Sequence, residues 1–298
     1  MVNVEFWYPT NADASCPLIL FSHGSYGIRS SNESTYRNLA SNGYIVCSLD
    51  HPHHSFFTQA LDGTITLVNP EFIQLTTDVN NGVYDDKTQI KLMRDVTMIR
   101  VEDLSFVLDT LLSYSEDDNS DDLYHRIDFT KIGVFGHSLG GAATMELGRI
   151  RDDIGAVINL DGDMLCEYKD YEDNHLIIEE TPYPCPLLNI WSDTMIDLME
   201  KDLANDTYPQ EYIAKTAPVE FDVHMQGTNH FSFTDLALFS PIMSKIILST
   251  VSVDTPTTGS AKDTIEDMNE LILEFFDCYL RQGAQFQAPS EYHYPDAY

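Results

Sequence analysis

Positive charge is what this 298-residue chain lacks most: 16 lysines and arginines stand against 48 aspartates and glutamates, for a formal charge of −32. A surface of that sign repels phosphate backbones and anionic bilayers, so nucleic acid is not an expected partner. It does not identify a substrate, because catalysis is decided by a few buried groups; a saline habitat and simple solubility account for it equally well. Cysteine is also sparse. Cys16, Cys47, Cys166, Cys185 and Cys278 are odd in number and contain no CxxC pair, which argues against a disulfide framework and a zinc knuckle. Cys47 and Cys278 fall in apolar segments and read as buried thiols; the pairing of Cys166 with Cys185 stays open. No apolar run reaches the roughly 18 residues that mark a membrane-spanning helix, so no integral membrane segment is expected. No signal peptide precedes the strand-like Val4-Glu5-Phe6-Trp7-Tyr8. A soluble protein is expected, and the abrupt start leaves room for an export signal removed upstream. Neither an internal repeat nor a low-complexity linker divides the chain. One domain over residues 1–283, followed by an irregular tail at 284–298, is the simplest partition.

Short apolar runs bounded by turn residues recur at 18–21, 44–49, 132–135, 156–160, 187–191 and 219–225. Their length and enrichment in Val, Ile and Leu predict buried strands. Between them lie helical patterns. Val96, Ile99, Leu104, Val107, Leu108 and Leu111 keep to one face, as do Ile265, Met268, Leu271, Ile272, Phe275, Phe276 and Leu280. Strands alternating with helices predict an α/β fold with a mostly parallel central sheet covered on both faces. Residues 60–86, rich in Thr, Asn and Asp, read as a surface excursion placed to border a site. The acidic run 115–122 reads as a solvated loop, since it lacks the glycine and closing glutamate of a calcium loop.

The segment Lys131-Ile132-Gly133-Val134-Phe135-Gly136-His137-Ser138-Leu139-Gly140-Gly141-Ala142-Ala143 carries the strongest chemical signal. It holds G-x-S-x-G between an apolar strand and a helix. A serine on so tight a turn projects its hydroxyl clear of the sheet, and the helix N-terminus adds positive potential where an oxyanion would develop. A serine hydroxyl needs a base. In sheets with this elbow the acid and then the histidine follow the serine in sequence. Beyond Ser138 only His175, His224, His230 and His293 remain. His224 falls inside a strand, His175 in a charged stretch with no preceding strand, and His293 in the tail. His230, in the loop Gly227-Thr228-Asn229-His230-Phe231 after a strand, is the expected base.

Position alone leaves the acid open. Asp161 and Asp193 both follow predicted strands, where sheets of this kind place catalytic groups, and Asp163 is a third option. Two oxyanion donors are needed. The Leu139 amide is one, and the Ser25 amide, in Phe21-Ser22-His23-Gly24-Ser25-Tyr26-Gly27, is the candidate for the other. Asp50-His51-Pro52-His53-His54 invites a metal reading, but it sits in a loop with no HExxH helix, and no metal is expected there.

Taken together, these segments resemble the platelet-activating factor acetylhydrolase group of serine esterases, of the plasma type and its bacterial relatives. Residues 17–24 are similar to that family's first strand and oxyanion loop, residues 39–46 to its next helix end and strand, and Asp50-His51 to its acidic residue and histidine. Residues 136–142 match its elbow, Leu160-Asp161-Gly162 its aspartate segment, and residues 227–235 its histidine loop. Residues 60–86 match only loosely. The resemblance implies an α/β-hydrolase fold. It implies a triad of Ser138, Asp161 and His230, with Ser25 and Leu139 as oxyanion donors and no cofactor. The implied substrate is a small-molecule or lipid ester with a short or oxidised acyl chain. Thioester-, amide- or polyester-cleaving hydrolases use the same triad, and a non-catalytic module could keep the fold.

Overall fold

The structure is a computed structural model that describes residues 2–10, 15–173, 175–202, 209–238, 258, 260–288 and 291–293. The chain runs through β1 (Asn3–Trp7), β2 (Cys16–Ser22), α1 (Glu33–Ser41), β3 (Ile45–Asp50), β4 (Phe57–Gln59), β5 (Ile65–Leu67), α2 (Pro70–Asn80) and α3 (Asp86–Ser115). It continues through α4 (Asp122–His125), β6 (Ile127–His137), α5 (Leu139–Ile150), β7 (Ile154–Leu160), β8 (Tyr168–Glu172), β9 (His175–Ile178) and β10 (Leu187–Ser192). It closes with α6 (Asp193–Asp202), α7 (Pro209–Thr216), β11 (Glu220–Gln226), α8 (Ala261–Arg281) and β12 (Glu291–His293).

Eight strands form one sheet in the order β1-β3-β2-β6-β7-β10-β11-β12. Only β1 runs antiparallel to its neighbour; all the other pairs are parallel. A parallel sheet needs cover on both faces, and the strands supply it by alternation. In β2, Leu18 and Leu20 face a core built with Val101, Leu104, Val107 and Leu108 of α3 and Met145 and Leu147 of α5. Ile19 and Phe21 face the opposite core, with Tyr36 and Leu39 of α1 and Ile272, Phe275 and Phe276 of α8. Phe135 joins that second core, its ring 4.6 Å from Phe21. Truncating it to alanine would cost about 3–5 kcal/mol.

The excursion at 60–86 is more ordered than its composition suggests. It holds part of the antiparallel hairpin β4–β5 and helix α2, started by Pro70 and capped by Asn69 accepting from the Glu71 amide. Helix α3 begins at its end, extends over 30 residues and is capped by Asp85. His175 does follow a strand: it opens β9, which pairs with β8 in a second hairpin. Residues 284–298 carry a strand that no pattern marks, β12, which pairs with β11 at the sheet edge; residues 289–290 and 294–298 lie outside the described residues. All five cysteines are free. No described helix is long and apolar enough to cross a membrane.

Candidate active site

Because the central strands are parallel, their C-terminal ends open on one edge of the sheet. Ser138 sits there, between β6 and α5, with φ 55° and ψ −127°. A side chain at positive φ costs about 1–3 kcal/mol and persists only where its surroundings enforce it. Here they do. The Ser138 amide donates to the Leu160 carbonyl at 2.8 Å, and its own carbonyl accepts from the Ala142 amide at 3.0 Å. Gly136 lets the helix start close in: a Cβ there would meet the Gly140 carbonyl and lie 2.7 Å from the Gly141 nitrogen. Ser138 is half-buried and its hydroxyl does not cap the helix it precedes. Leu139 is the first residue of that helix, so its N–H has no intrahelical acceptor and stands at the positive end of the helix dipole.

Asp161 follows β7, also at φ 55°. Its carboxylate is fully buried and accepts three hydrogen bonds, from the Ser192 amide at 2.7 Å, the Ser192 hydroxyl at 2.6 Å and His230 Nδ1 at 2.8 Å. His230 begins a 3-10 turn whose capping box joins Asn229 and Ser232. Its carbonyl accepts from His137 Nε2 at 2.7 Å, and the two imidazole rings lie 4.6 Å apart. Burial, with His230 alongside, pushes His137 down to about 3. It therefore stays neutral and acts as a plain N–H donor. The residue before Ser138 thus holds the backbone of the His230 turn.

The other candidates are engaged elsewhere. Asp193 accepts from His224 Nε2 at 2.7 Å and from the Gly227 amide at 2.9 Å, anchoring the start of the His230 loop. Asp163 receives the Tyr168 hydroxyl at 3.4 Å. His293 lies in β12, outside the residues whose side chains are described. The residues of 50–54 do not converge on one point. Asp50 accepts from the Arg29 amide at 2.7 Å and from its guanidinium. His54 stacks on Phe72 at 4.2 Å and is lowered to about 4 by burial and Arg100. His51 donates from Nδ1 to Asp103 at 2.9 Å and accepts from the Ser22 hydroxyl at 2.8 Å.

The loop after β2 wraps the near side of Ser138. A Cβ on Gly24 would lie 3.1 Å from Ser138 Cβ, so only glycine lets this backbone pass so close. Ser25 comes next and is half-buried. Behind the loop, Arg100 of α3, fully buried, donates to the carbonyls of His23 and Gly24. Beside the loop, Tyr26, Val68, Leu75, Met93 and Leu165 pack on Phe72, Val96 and Leu139. The 60–86 excursion therefore supplies apolar wall next to Leu139. Ser192, Arg100 and Asp103 carry no motif. One signal for Arg100 is present in the sequence: it lies four residues from both Val96 and Leu104, on the apolar face of α3.

Over residues 3–288 the chain matches the family described as platelet-activating factor acetylhydrolase, isoform II. A relative from Arthroderma benhamiae, named probable 1-alkyl-2-acetylglycerophosphocholine esterase, is 30% identical over 153 residues. That stretch is 49% of this chain and 31% of the relative, so the match spans about a third of the relative's length. Among solved structures, a ferulic acid esterase from Streptomyces cinnamoneus superposes with a TM-score of 0.68 at 24% identity, over 92% of this chain and 70% of that one. That likeness is one of fold, and the fold is that of the α/β hydrolases.

Proposed function

This chain belongs to the platelet-activating factor acetylhydrolase, isoform II, family, and we propose that it is a serine carboxylic ester hydrolase, with a single catalytic domain whose sheet extends past residue 283 to β12, that cleaves short-chain acyl esters through an acyl-enzyme. The observation that carries this reading is the fully buried Asp161 carboxylate 2.8 Å from His230 Nδ1, on the same sheet edge as a serine held at positive φ. The carboxylate fixes the proton on Nδ1, which leaves Nε2 as the acceptor that a serine nucleophile requires.

In the reaction, His230 Nε2 takes the proton of Ser138 Oγ as the hydroxyl attacks the acyl carbon, the contact closing once substrate is bound. The Leu139 and Ser25 amides hold the oxygen that becomes negative. The tetrahedral adduct collapses as His230 returns the proton to the leaving alcohol. Water then repeats the cycle and frees the acid. The acidic surface disfavours polyanionic substrates, and the apolar wall of Tyr26, Phe72 and Leu139 suits an acyl chain or another compact apolar group. The activity in the name of the A. benhamiae relative, on a 1-alkyl-2-acetylglycerophosphocholine, fits a neutral or zwitterionic lipid ester with a short acyl group.

The test is hydrolysis of p-nitrophenyl acetate, butyrate, octanoate and palmitate by wild type and Ser138→Ala. Activity on the two short esters, lost by about 10⁴-fold or more in the variant, is the expected result. Undiminished turnover by Ser138→Ala overturns the mechanism. A preference for palmitate overturns the short-chain specificity alone.

A further inference from the structure

The Gly24 carbonyl is held by three donors. His23 Nδ1 reaches it at 2.7 Å, the Gly27 amide at 3.1 Å and Arg100 Nη2 at 3.4 Å. The other arm of the Arg100 guanidinium holds the preceding carbonyl, that of His23. The His23 ring is itself fixed, its Nε2 accepting from the Ser55 hydroxyl at 2.8 Å. None of the described peptide bonds is cis. In a planar trans peptide the N–H points opposite to the preceding C=O, so fixing the direction of the Gly24 carbonyl fixes that of the Ser25 N–H. Gly24 lies against Ser138 on one side and has its carbonyl tied to Arg100.

The geometry points to Arg100 as the positioning residue of the oxyanion hole: its guanidinium pins the Gly24 carbonyl and so aims the Ser25 N–H at the oxygen that becomes negative beside Ser138. This rests on the function proposed above. Three features support a directed role. The guanidinium fork matches two successive carbonyls, which a lysine's single ammonium does not. A cation on the carbonyl end of a peptide polarises it and makes its N–H a stronger donor, so Arg100 also strengthens the hydrogen bond it aims. The residue is costly for a structural role: it is fully buried, its Nε has no partner, and burial pulls it down to about 9 against the opposing pull of Asp103. An apolar residue of similar volume would commonly stabilise such a site equally well or better.

Arg100→Met and Arg100→Lys test this, each with kcat and KM on p-nitrophenyl acetate corrected for the folded fraction, and with the inhibition constant of a trifluoromethyl ketone. That compound forms a tetrahedral adduct and reads oxyanion stabilisation directly. Loss of one oxyanion donor costs about 10²–10³ in kcat. Arg100→Met should lose about 10²-fold in kcat with KM changed less than about threefold, and bind the ketone weaker by a similar factor. Arg100→Lys, which keeps the charge but not the planar fork, should lose about tenfold. If Arg100→Met does not fold, Arg100→Lys decides by the same readouts. Unchanged kcat and ketone affinity in the folded variants, with only the melting temperature lowered, assigns Arg100 a structural role and overturns the proposal. Persistent activity in Ser138→Ala instead refutes the serine mechanism, so the two failures are distinct.

Discussion

Replacing Asp161 by asparagine would separate the two acidic candidates more sharply than deletion. The carboxylate offers one oxygen to the Ser192 amide at 2.7 Å and the other to the Ser192 hydroxyl and His230 Nδ1, at 2.6 and 2.8 Å. A backbone N–H has no second role, so the asparagine oxygen must stay opposite Ser192 N and the NH₂ group falls opposite His230. Ser192 Oγ can rotate and accept. His230 Nδ1 must accept as well, which moves the imidazole proton to Nε2. That tautomer cannot take the proton of Ser138, and a neutral amide no longer balances the imidazolium. The expected loss in kcat is about 10⁴, or roughly 5.5 kcal/mol at 1.36 kcal/mol per decade, with little change in KM. Asp193→Asn touches His224 and the Gly227 amide and should lose tenfold at most. Steady-state kinetics on p-nitrophenyl acetate, with folded enzyme counted by circular dichroism, gives both numbers. A loss of about 10³-fold or more in Asp193→Asn, beside a loss under tenfold in Asp161→Asn, refutes the assignment.

Two further outcomes follow from charge. His137 is buried and titrates near 3 in the fold, against 6.5 as its ordinary value. Below pH 6.5 the unfolded chain takes up a proton that the native one refuses, so this site loses about 1.4 kcal/mol of stability per pH unit as pH falls from 6.5 toward 3, and none above 6.5. His137→Gln keeps a donor for the His230 carbonyl and does not titrate. Urea unfolding at pH 7.5, 5.5 and 4.5 should show the variant gaining on wild type at the two lower values, and a constant difference would contradict it. Separately, a formal charge of −32 makes the compact state repel itself. Raising NaCl from 0.1 to 1 M shortens the screening length from about 10 to about 3 Å, so the melting temperature should climb. A fall or no change contradicts that view.

Much of the candidate site is legible in the sequence because it depends on local chemistry. The elbow at Ser138 needs an incoming apolar strand, Gly136 and a helix opening at Leu139, all contiguous. His230 is picked out by the alternating strand β11 that delivers it. The acid is not legible from position, since Asp161 and Asp193 each follow a buried strand. What separates them is three-dimensional: Asp161 lies under His230 and is capped by Ser192, whereas Asp193 turns to His224 on the neighbouring strand. For Arg100 the sequence offers only its place on the apolar face of α3, because its partners, His23 and Gly24, lie more than 70 positions away and are bound through backbone atoms that no sequence pattern records. Helix α2 escapes notice because it buries only Phe72, too little to mark a face. β12 has three residues, too few for an alternation.

The central claim is that Ser138 is the nucleophile. The most direct measurement is the intact mass of wild type and Ser138→Ala after incubation with a fluorophosphonate, followed by mapping of the modified peptide. One adduct per wild-type chain is expected, on the peptide that contains Ser138, appearing in step with the loss of esterase activity, and none on Ser138→Ala. Equal labelling of both proteins, or an adduct on another residue that accompanies inactivation, would contradict it.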